Sequence, residues 1–282
     1  MRKILVLGGT GLLGKPVAAR LKSDGFEVRL FARDPAKAQK VFGDSYEIAP
    51  GDVTNHGQVE AAMRGCNGVH ISIGGEFDRL SAETVAELAP STGVEYITYV
   101  SGSTVCPQNG WFPMIAQKLE AEKAIRECGV GYTIFCPTWP MEQLPRFVRD
   151  GRAAIIGEQP APLHWFACED FGRMVSNAYQ RENSNRQRLF IHGPEAIPMK
   201  EALERYIRVF HPEIKSVTVM PVWLAKSMGV LTRNPMLKFF AELMNYFNKT
   251  GELGDGSETN RLLGAPEITL ETWLESRQTN TE

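Results

Sequence analysis

The chain has 282 residues with 31 basic and 33 acidic side chains, a formal net charge of -2, and 43% hydrophobic against 23% charged residues. This is the composition of a folded globular protein with one or two domains, and it excludes a fibre, a linker or a disordered scaffold. No basic run is present that would displace counterions from a nucleic-acid backbone, so nucleic acid is not an expected partner.

At the start of the chain only four apolar residues, Ile4 to Leu7, precede Gly8, too few for the apolar core of a secretory signal, and they read as a first strand. Short β-branched runs then alternate with longer amphipathic segments up to about residue 136, the pattern of parallel strands between covering helices. Strands are predicted at 3–7, 27–31, 46–49, 68–73, 95–101 and 131–136, and helices near 12–23, 35–42, 55–64, 78–91 and 112–128. The expected fold is α/β with a doubly wound parallel sheet in a dinucleotide-binding domain over 1–150. A smaller, partly helical lobe over 151–282, punctuated by prolines, is expected to return to the sheet. Within that lobe, 235–247 carries large apolar groups nearly all round, as for a helix buried on more than one side; a Met-containing cover over a substrate or partner is the alternative. The apolar tract 219–231 is broken by Pro221 and Lys226, so no membrane span is expected, although peripheral association is compatible with the sequence. Five cysteines, Cys66, Cys106, Cys128, Cys136 and Cys168, occur without a CxxC pair, which argues for a reducing, cytoplasmic setting and against a disulfide framework or structural zinc.

Directly after the first strand comes Gly8-Gly9-Thr10-Gly11-Leu12-Leu13-Gly14. Gly8 suits a tight turn, Gly11 allows close approach of a pyrophosphate, and Gly14 allows close helix packing, with the anion at the helix N-terminus formed by Leu12 and Leu13. At the end of the second strand, Arg33 suits a ribose 2′-phosphate, while Asp34 before Pro35 reads as a helix N-cap, so NADP is favoured over NAD. Asp52 and Val53 follow the third strand, where a carboxylate and an apolar side chain suit an adenine; an Asx turn is the competing account. Ser72, Ile73 and Gly74 close the fourth strand with small groups past which a cofactor can run.

As a set, Gly8 to Gly14, Arg29 to Pro35, Gly51 to Thr54 and Tyr132 to Thr138 resemble the extended and atypical short-chain dehydrogenase/reductases, in particular the NmrA-like NAD(P)-binding members with a Rossmann fold. The resemblance implies cofactor contacts from Gly8, Thr10, Gly11, Leu12, Leu13, Gly14, Arg33, Asp52, Val53, Ser72, Ile73, Gly74, Lys118 and Pro137. It also implies a catalytic hydroxyl near Ser101 or Ser103, with Thr104 a third possibility. Members reduce substrates with a Tyr-x-x-x-Lys pair; Lys118 matches the lysine, but Met114 stands in the tyrosine position, and a thioether cannot donate a proton. Cys106, Tyr96, Tyr99, Tyr132 and His164 are chemically able to replace it. Two functions are therefore expected: an NADPH-dependent reductase or isomerase of a small apolar carbonyl or quinone-like substrate, or a non-catalytic nucleotide-binding redox sensor or complex-assembly protein with a protein partner. His56, His70, His192 and His211 show no metal-ligand spacing, and no metal site is expected.

Overall fold

The computed structural model describes residues 2–181 and 184–279. The first part runs β1 (Lys3–Leu7), α1 (Gly14–Ser23), β2 (Glu27–Ala32), α2 (Pro35–Phe42), β3 (Glu47–Pro50), α3 (His56–Met63), β4 (Gly68–Ile71), α4 (Asp78–Thr92), β5 (Tyr96–Val100), α5 (Pro113–Glu127) and β6 (Gly131–Pro137). There follow β7 (Val148–Arg149), β8 (Arg152–Ile156), β9 (Leu163–Trp165), α6 (Cys168–Gln180), β10 (Gln187–Ile191), β11 (Glu195–Ile197) and α7 (Met199–Phe210). The chain ends with β12 (Val217–Met220), α8 (Val222–Leu231), α9 (Pro235–Phe247), α10 (Ser257–Leu263) and α11 (Leu270–Thr279).

These elements divide into two compact units. The first holds the chain up to Pro137, then Cys168–Ile191 and Gly254–Pro266; the second holds Thr138–Ala167, His192–Leu253 and the residues from Glu267 on. The chain thus leaves the first unit at Pro137 rather than near residue 150. The physical reason is the sheet ladder: Pro137 pairs with Ile191, while the next residue, Thr138, donates its hydroxyl hydrogen to His164 O in the second unit.

In the first unit seven strands form one sheet in the order β10-β6-β5-β4-β1-β2-β3, all parallel. The six strands read from the sequence are present within a residue or two of their expected ends, and β10 adds a seventh from beyond the excursion. Parallel strands must be covered on both faces. Here α1 packs on α6 on one face and α4 packs on α3 and α5 on the other. Strand alternation sorts β5 between the two faces: Ile97 and Tyr99 join the core with Leu5, Val69 and Val85, whereas the Thr98 hydroxyl meets the Tyr179 hydroxyl of α6 at 2.9 Å. Helix starts follow local rules: the Asp34 carboxylate accepts from Lys37 N at 2.9 Å with Pro35 in the first turn, and Asn55 does the same for Gln58 N.

The second unit contains an antiparallel pair, β11-β9, and a three-stranded sheet, β12-β8-β7, in which β12 and β8 run parallel. Its core gathers Leu144, Ile155, Trp165, Leu203, Met244 and Trp273. Helices α8 and α9 pack as a hairpin. Gly229 makes this possible, since a Cβ there would meet Lys238 N at 2.8 Å. The helix expected to be buried on more than one side is α9. It buries Ala241 and Met244, but Met236 is 70% exposed, so its apolar girdle is only partly used by this unit.

Candidate nucleotide-binding site

The order of the first sheet reverses between β1 and β4, and at this point the carboxyl ends of parallel strands leave a crevice for a ligand. The glycine-rich turn lies there. Gly8 has φ +81°, and a Cβ on it would overlap the carbonyl oxygen of Ser72, just past β4. A Cβ on Gly14 would overlap Gly8 O. Gly11 differs, because a Cβ there would meet nothing but Gly8 O, at 3.1 Å. Two of the three spaced glycines therefore make the turn tight, and the third leaves open the space in front of the helix.

The turn closes on itself through Gly11 N–H to Gly8 O at 2.9 Å and Lys15 N–H to Gly11 O at 3.1 Å. No side chain caps α1, whose N-cap is Leu13, and no acidic residue sits in its first turn. A helix N-terminus free of an internal anion, beside an exposed Thr10 and Gly11, fits a pyrophosphate. Beside it, Ser72 N–H donates to Leu7 O at 3.0 Å and extends the ladder past β4, while nothing lies within 4 Å of the Cβ position of Gly74.

The adenosine side is built from the ends of β2 and β3. With Asp34 committed to capping α2, the exposed Arg33 places its guanidinium 5.7 Å from the centre of the Phe77 ring. Asp52 forms the Asx turn: its Oδ1 accepts from Thr54 N at 2.9 Å and from Thr54 Oγ1 at 2.7 Å. These hydrogen bonds, with help from the Arg33 charge, hold the Asp52 carboxyl below its ordinary range, so it stays an acceptor. Val53 is buried beneath it.

Lys118 reaches the carboxyl end of β5 from α5. Its Nζ donates to Asp78 Oδ2 at 2.6 Å and to Val100 O at 3.0 Å, and it lies 5.3 Å from the Tyr99 ring centre. Asp78, at the start of α4, is 2% exposed and also accepts from the Tyr99 hydroxyl at 2.7 Å. Burial, reinforced by the Asp78 charge, pushes the Tyr99 phenol well above its usual value, so it is fixed as a donor to the carboxylate. Two of the three ammonium protons of Lys118 are thus engaged within the fold.

A second buried carboxylate lies one turn further along α5. Glu122 accepts from Ser101 Oγ at 2.5 Å, from Arg126 at 2.5 Å and from Arg188 Nε at 3.0 Å. The Ser101 hydroxyl is therefore directed into an ionic network. Ser103 is buried next to it, with its N–H donating to Pro137 O at 3.0 Å. Of the proposed replacement acids, Tyr96 lies at the amino end of β5 against Thr133, and Tyr132 is packed into the core. A cavity of about 410 Å³ bordered by Arg2, Tyr96 and Tyr179 also opens at that amino end, away from the glycine turn.

Sequence reasoning missed Asp78, Glu122 and Arg188. The spacing of Lys118, Glu122 and Arg126 on one helix face was a usable signal for the second network; nothing local marked Asp78 as the partner of Lys118. It also missed a grouping in the second unit, where donor atoms of His164, His192 and Glu252 lie within 4.8 Å of one another. Glu252 accepts from His164 N at 3.0 Å and lies 2.8 Å from His164 Nδ1, and the two imidazoles stack at 4.7 Å with 24° between planes. Through Glu252 both the backbone and the ring of His164 are held, which anchors β9.

Residues 8–153 match the NAD(P)H-binding family, and the chain belongs to it. A relative 27% identical over 211 residues, covering 73% of each chain, is a (4-alkanoyl-5-oxo-2,5-dihydrofuran-3-yl)methyl phosphate reductase of Streptomyces griseus. A photosystem II assembly factor of Trieres chinensis is 24% identical over 47% of this chain and 44% of its own. Among solved structures, an NADPH-dependent quinone oxidoreductase of Escherichia coli in complex with NADPH superposes with a TM-score of 0.76 at 20% identity, over 97% of this chain and 99% of its own, and so shares the fold.

Proposed function

We propose that the first unit binds NADPH across the crevice between β1 and β4 and that the protein reduces small, apolar, quinone-like acceptors. The observation that carries this reading is the open phosphate turn at Gly11 combined with a fixed Lys118 and a methionine at 114. In this assignment the backbone N–H groups at Leu12 and Leu13 hold the pyrophosphate, Arg33 takes the 2′-phosphate, and Asp52 and Val53 take the adenine. Lys118 keeps one proton for a ribose hydroxyl, and Ser103 and Pro137 border the nicotinamide.

When bound, the nicotinamide would supply a hydride. Reduction of an aldehyde then yields an alkoxide that needs a positioned acid, a contribution of about 10²- to 10⁴-fold in rate. Met114 provides none, and the Tyr99 proton is committed to Asp78. A quinone yields a delocalised hydroquinone anion that water protonates, so this acceptor class tolerates the residues present. Titration calorimetry should show NADPH binding roughly tenfold or more tighter than NADH, a preference abolished by Arg33→Ala. Turnover should be measurable with a benzoquinone and about a hundredfold slower with an aliphatic aldehyde. Equal affinity for both nucleotides, or faster aldehyde than quinone reduction, refutes the assignment.

Met114 also favours a second reading: a protein that binds the nucleotide as a redox-sensing or assembly component and performs no chemistry. The assembly-factor relative supports it. Tight NADPH binding with no turnover of any quinone would establish this reading instead.

A further inference from the structure

The α8–α9 hairpin of the second unit exposes an unusual amount of apolar side chain. Leu231 is 82% exposed, Met236 70%, Trp223 69% and Val230 63%, with Phe239 also on the surface. They cluster by helical spacing: Trp223, Val230 and Leu231 share the outer side of α8, and Met236 and Phe239 are three apart on α9. Single exposed apolar residues are ordinary, but a contiguous group of this kind marks a surface that something covers.

Charge indicates what covers it. From Ile214 to Ala241 there is no acidic residue, while Lys215, Lys226, Arg233 and Lys238 are basic, in a chain whose net charge is -2. Among the described residues, none of Lys226, Arg233 and Lys238 has an ion-pair partner. A second copy of the chain is a poor occupant, because a symmetric contact would set like charges against one another. Neither helix is long enough to cross a bilayer: with 10 and 13 residues they extend about 15 and 20 Å, against a hydrocarbon core of about 30 Å. Apolar side chains including a tryptophan, flanked by unpaired cations on short helices, are what seats a peripheral protein in the interface of an anionic bilayer.

We propose that the α8–α9 hairpin is a membrane-surface docking element that inserts Trp223, Val230, Leu231 and Met236 among the lipids of an anionic leaflet, with Lys226, Arg233 and Lys238 on the headgroups. The proposal is independent of which reading of the nucleotide site holds.

Sedimentation of the full chain with vesicles tests it. Vesicles of equal parts phosphatidylcholine and phosphatidylglycerol should bind the protein at low salt, and phosphatidylcholine alone should bind it far more weakly. Leu231→Asp should lower partitioning at least about tenfold. A triple change of Lys226, Arg233 and Lys238 to glutamine should lower it roughly a hundredfold on anionic vesicles, at about fivefold per cation, and leave neutral vesicles unaffected. Leu231, Arg233 and Lys238 are exposed and Lys226 is half-buried, so circular dichroism of both variants should match the parent. Quenching by brominated lipid should fall in Trp223→Phe. No binding to either vesicle, binding indifferent to these substitutions, or a dimer in solution that Leu231→Asp converts to monomer overturns the proposal.

Discussion

Replacing Asp78 by alanine removes the carboxylate that serves both Lys118 at 2.6 Å and the Tyr99 hydroxyl at 2.7 Å. The lysine side chain is only 14% exposed, so its ammonium is left with Val100 O and little water, and the phenol loses its acceptor. Breaking one side of a buried pair costs about 3–5 kcal/mol, a large part of a typical stability of about 5–15 kcal/mol. At about 2–4 °C per kcal/mol for a unit of this size, the melting temperature should fall by roughly 6–20 °C. Lys118→Met strands the carboxylate instead and should cost a similar amount. Because each single change leaves its partner buried and unpaired, the double variant Asp78→Ala with Lys118→Met should be more stable than the sum predicts, with a coupling of about 2 kcal/mol or more in urea unfolding. Additivity within about 0.5 kcal/mol would show that the two side chains do not act as a pair, and Lys118 would then be free to serve the nucleotide alone.

The glycine turn separates folding from binding. Gly14→Ala, whose Cβ would overlap Gly8 O, should lower stability by about 1–3 kcal/mol, whereas Gly11→Val, whose Cβ meets Gly8 O only at 3.1 Å, should cost less stability than Gly14→Ala yet lose NADPH binding by calorimetry. Normal NADPH binding by Gly11→Val would place the phosphates elsewhere. His70 is fully buried, with Nδ1 2.8 Å from Thr98 Oγ1, and burial pushes its pKa down to about 3. Below about pH 6.5 the unfolded chain gains a proton that the folded chain refuses, so stability present above that pH is lost progressively toward pH 3, amounting to roughly 2 kcal/mol by pH 5. His70→Gln should abolish this part of the loss in urea titrations at the two pH values; an unchanged pH dependence removes His70 as its source. Met114→Tyr should raise NADPH-dependent aldehyde reduction modestly, and adding Asp78→Asn should raise it further; no gain in either variant would show that the α5 position does not face the substrate.

Much of the first unit was legible because parallel strands buried on both faces leave strong apolar runs, and because caps such as Asp34 with Pro35 carry their mechanism in two letters. The seventh strand was not legible as part of the sheet. Gln187–Ile191 is an ordinary half-buried strand, and only the return of the chain after α6 brings it beside β6. The unit boundary was misplaced for the same reason, since nothing local distinguishes the end of a ladder at Pro137 from a proline-rich loop. In the site, the glycines and Arg33 are read from a turn and a strand end, which are local objects. Asp78 lies 40 residues from Lys118 and Arg188 lies 66 from Glu122, so those pairs exist only once the sheet has formed.

Met114 and the Asp78 partner of Lys118, both close to the end of β5, bear on the same chemistry. In a Tyr-x-x-x-Lys pair the lysine charge lowers the phenol's pKa, and this works only while that charge is not satisfied elsewhere. Here Asp78 sits against the ammonium in a buried setting, where the Coulomb interaction is least screened, and the net charge presented to a neighbour on α5 is close to zero. A tyrosine at 114 would gain little from such a lysine, and a methionine there loses little. What Lys118 retains is direction: Asp78 and Val100 O fix the ammonium at the strand end, leaving one proton aimed by the other two. That resource suits the positioning of a ribose, which needs a hydrogen bond in a fixed place, and does not suit general acid catalysis, which needs a group able to give up a proton. Under the proposed reduction of quinone-like acceptors, the same geometry favours an acceptor whose reduced form needs no protein acid, and Asp78 would contribute to that preference as much as Met114.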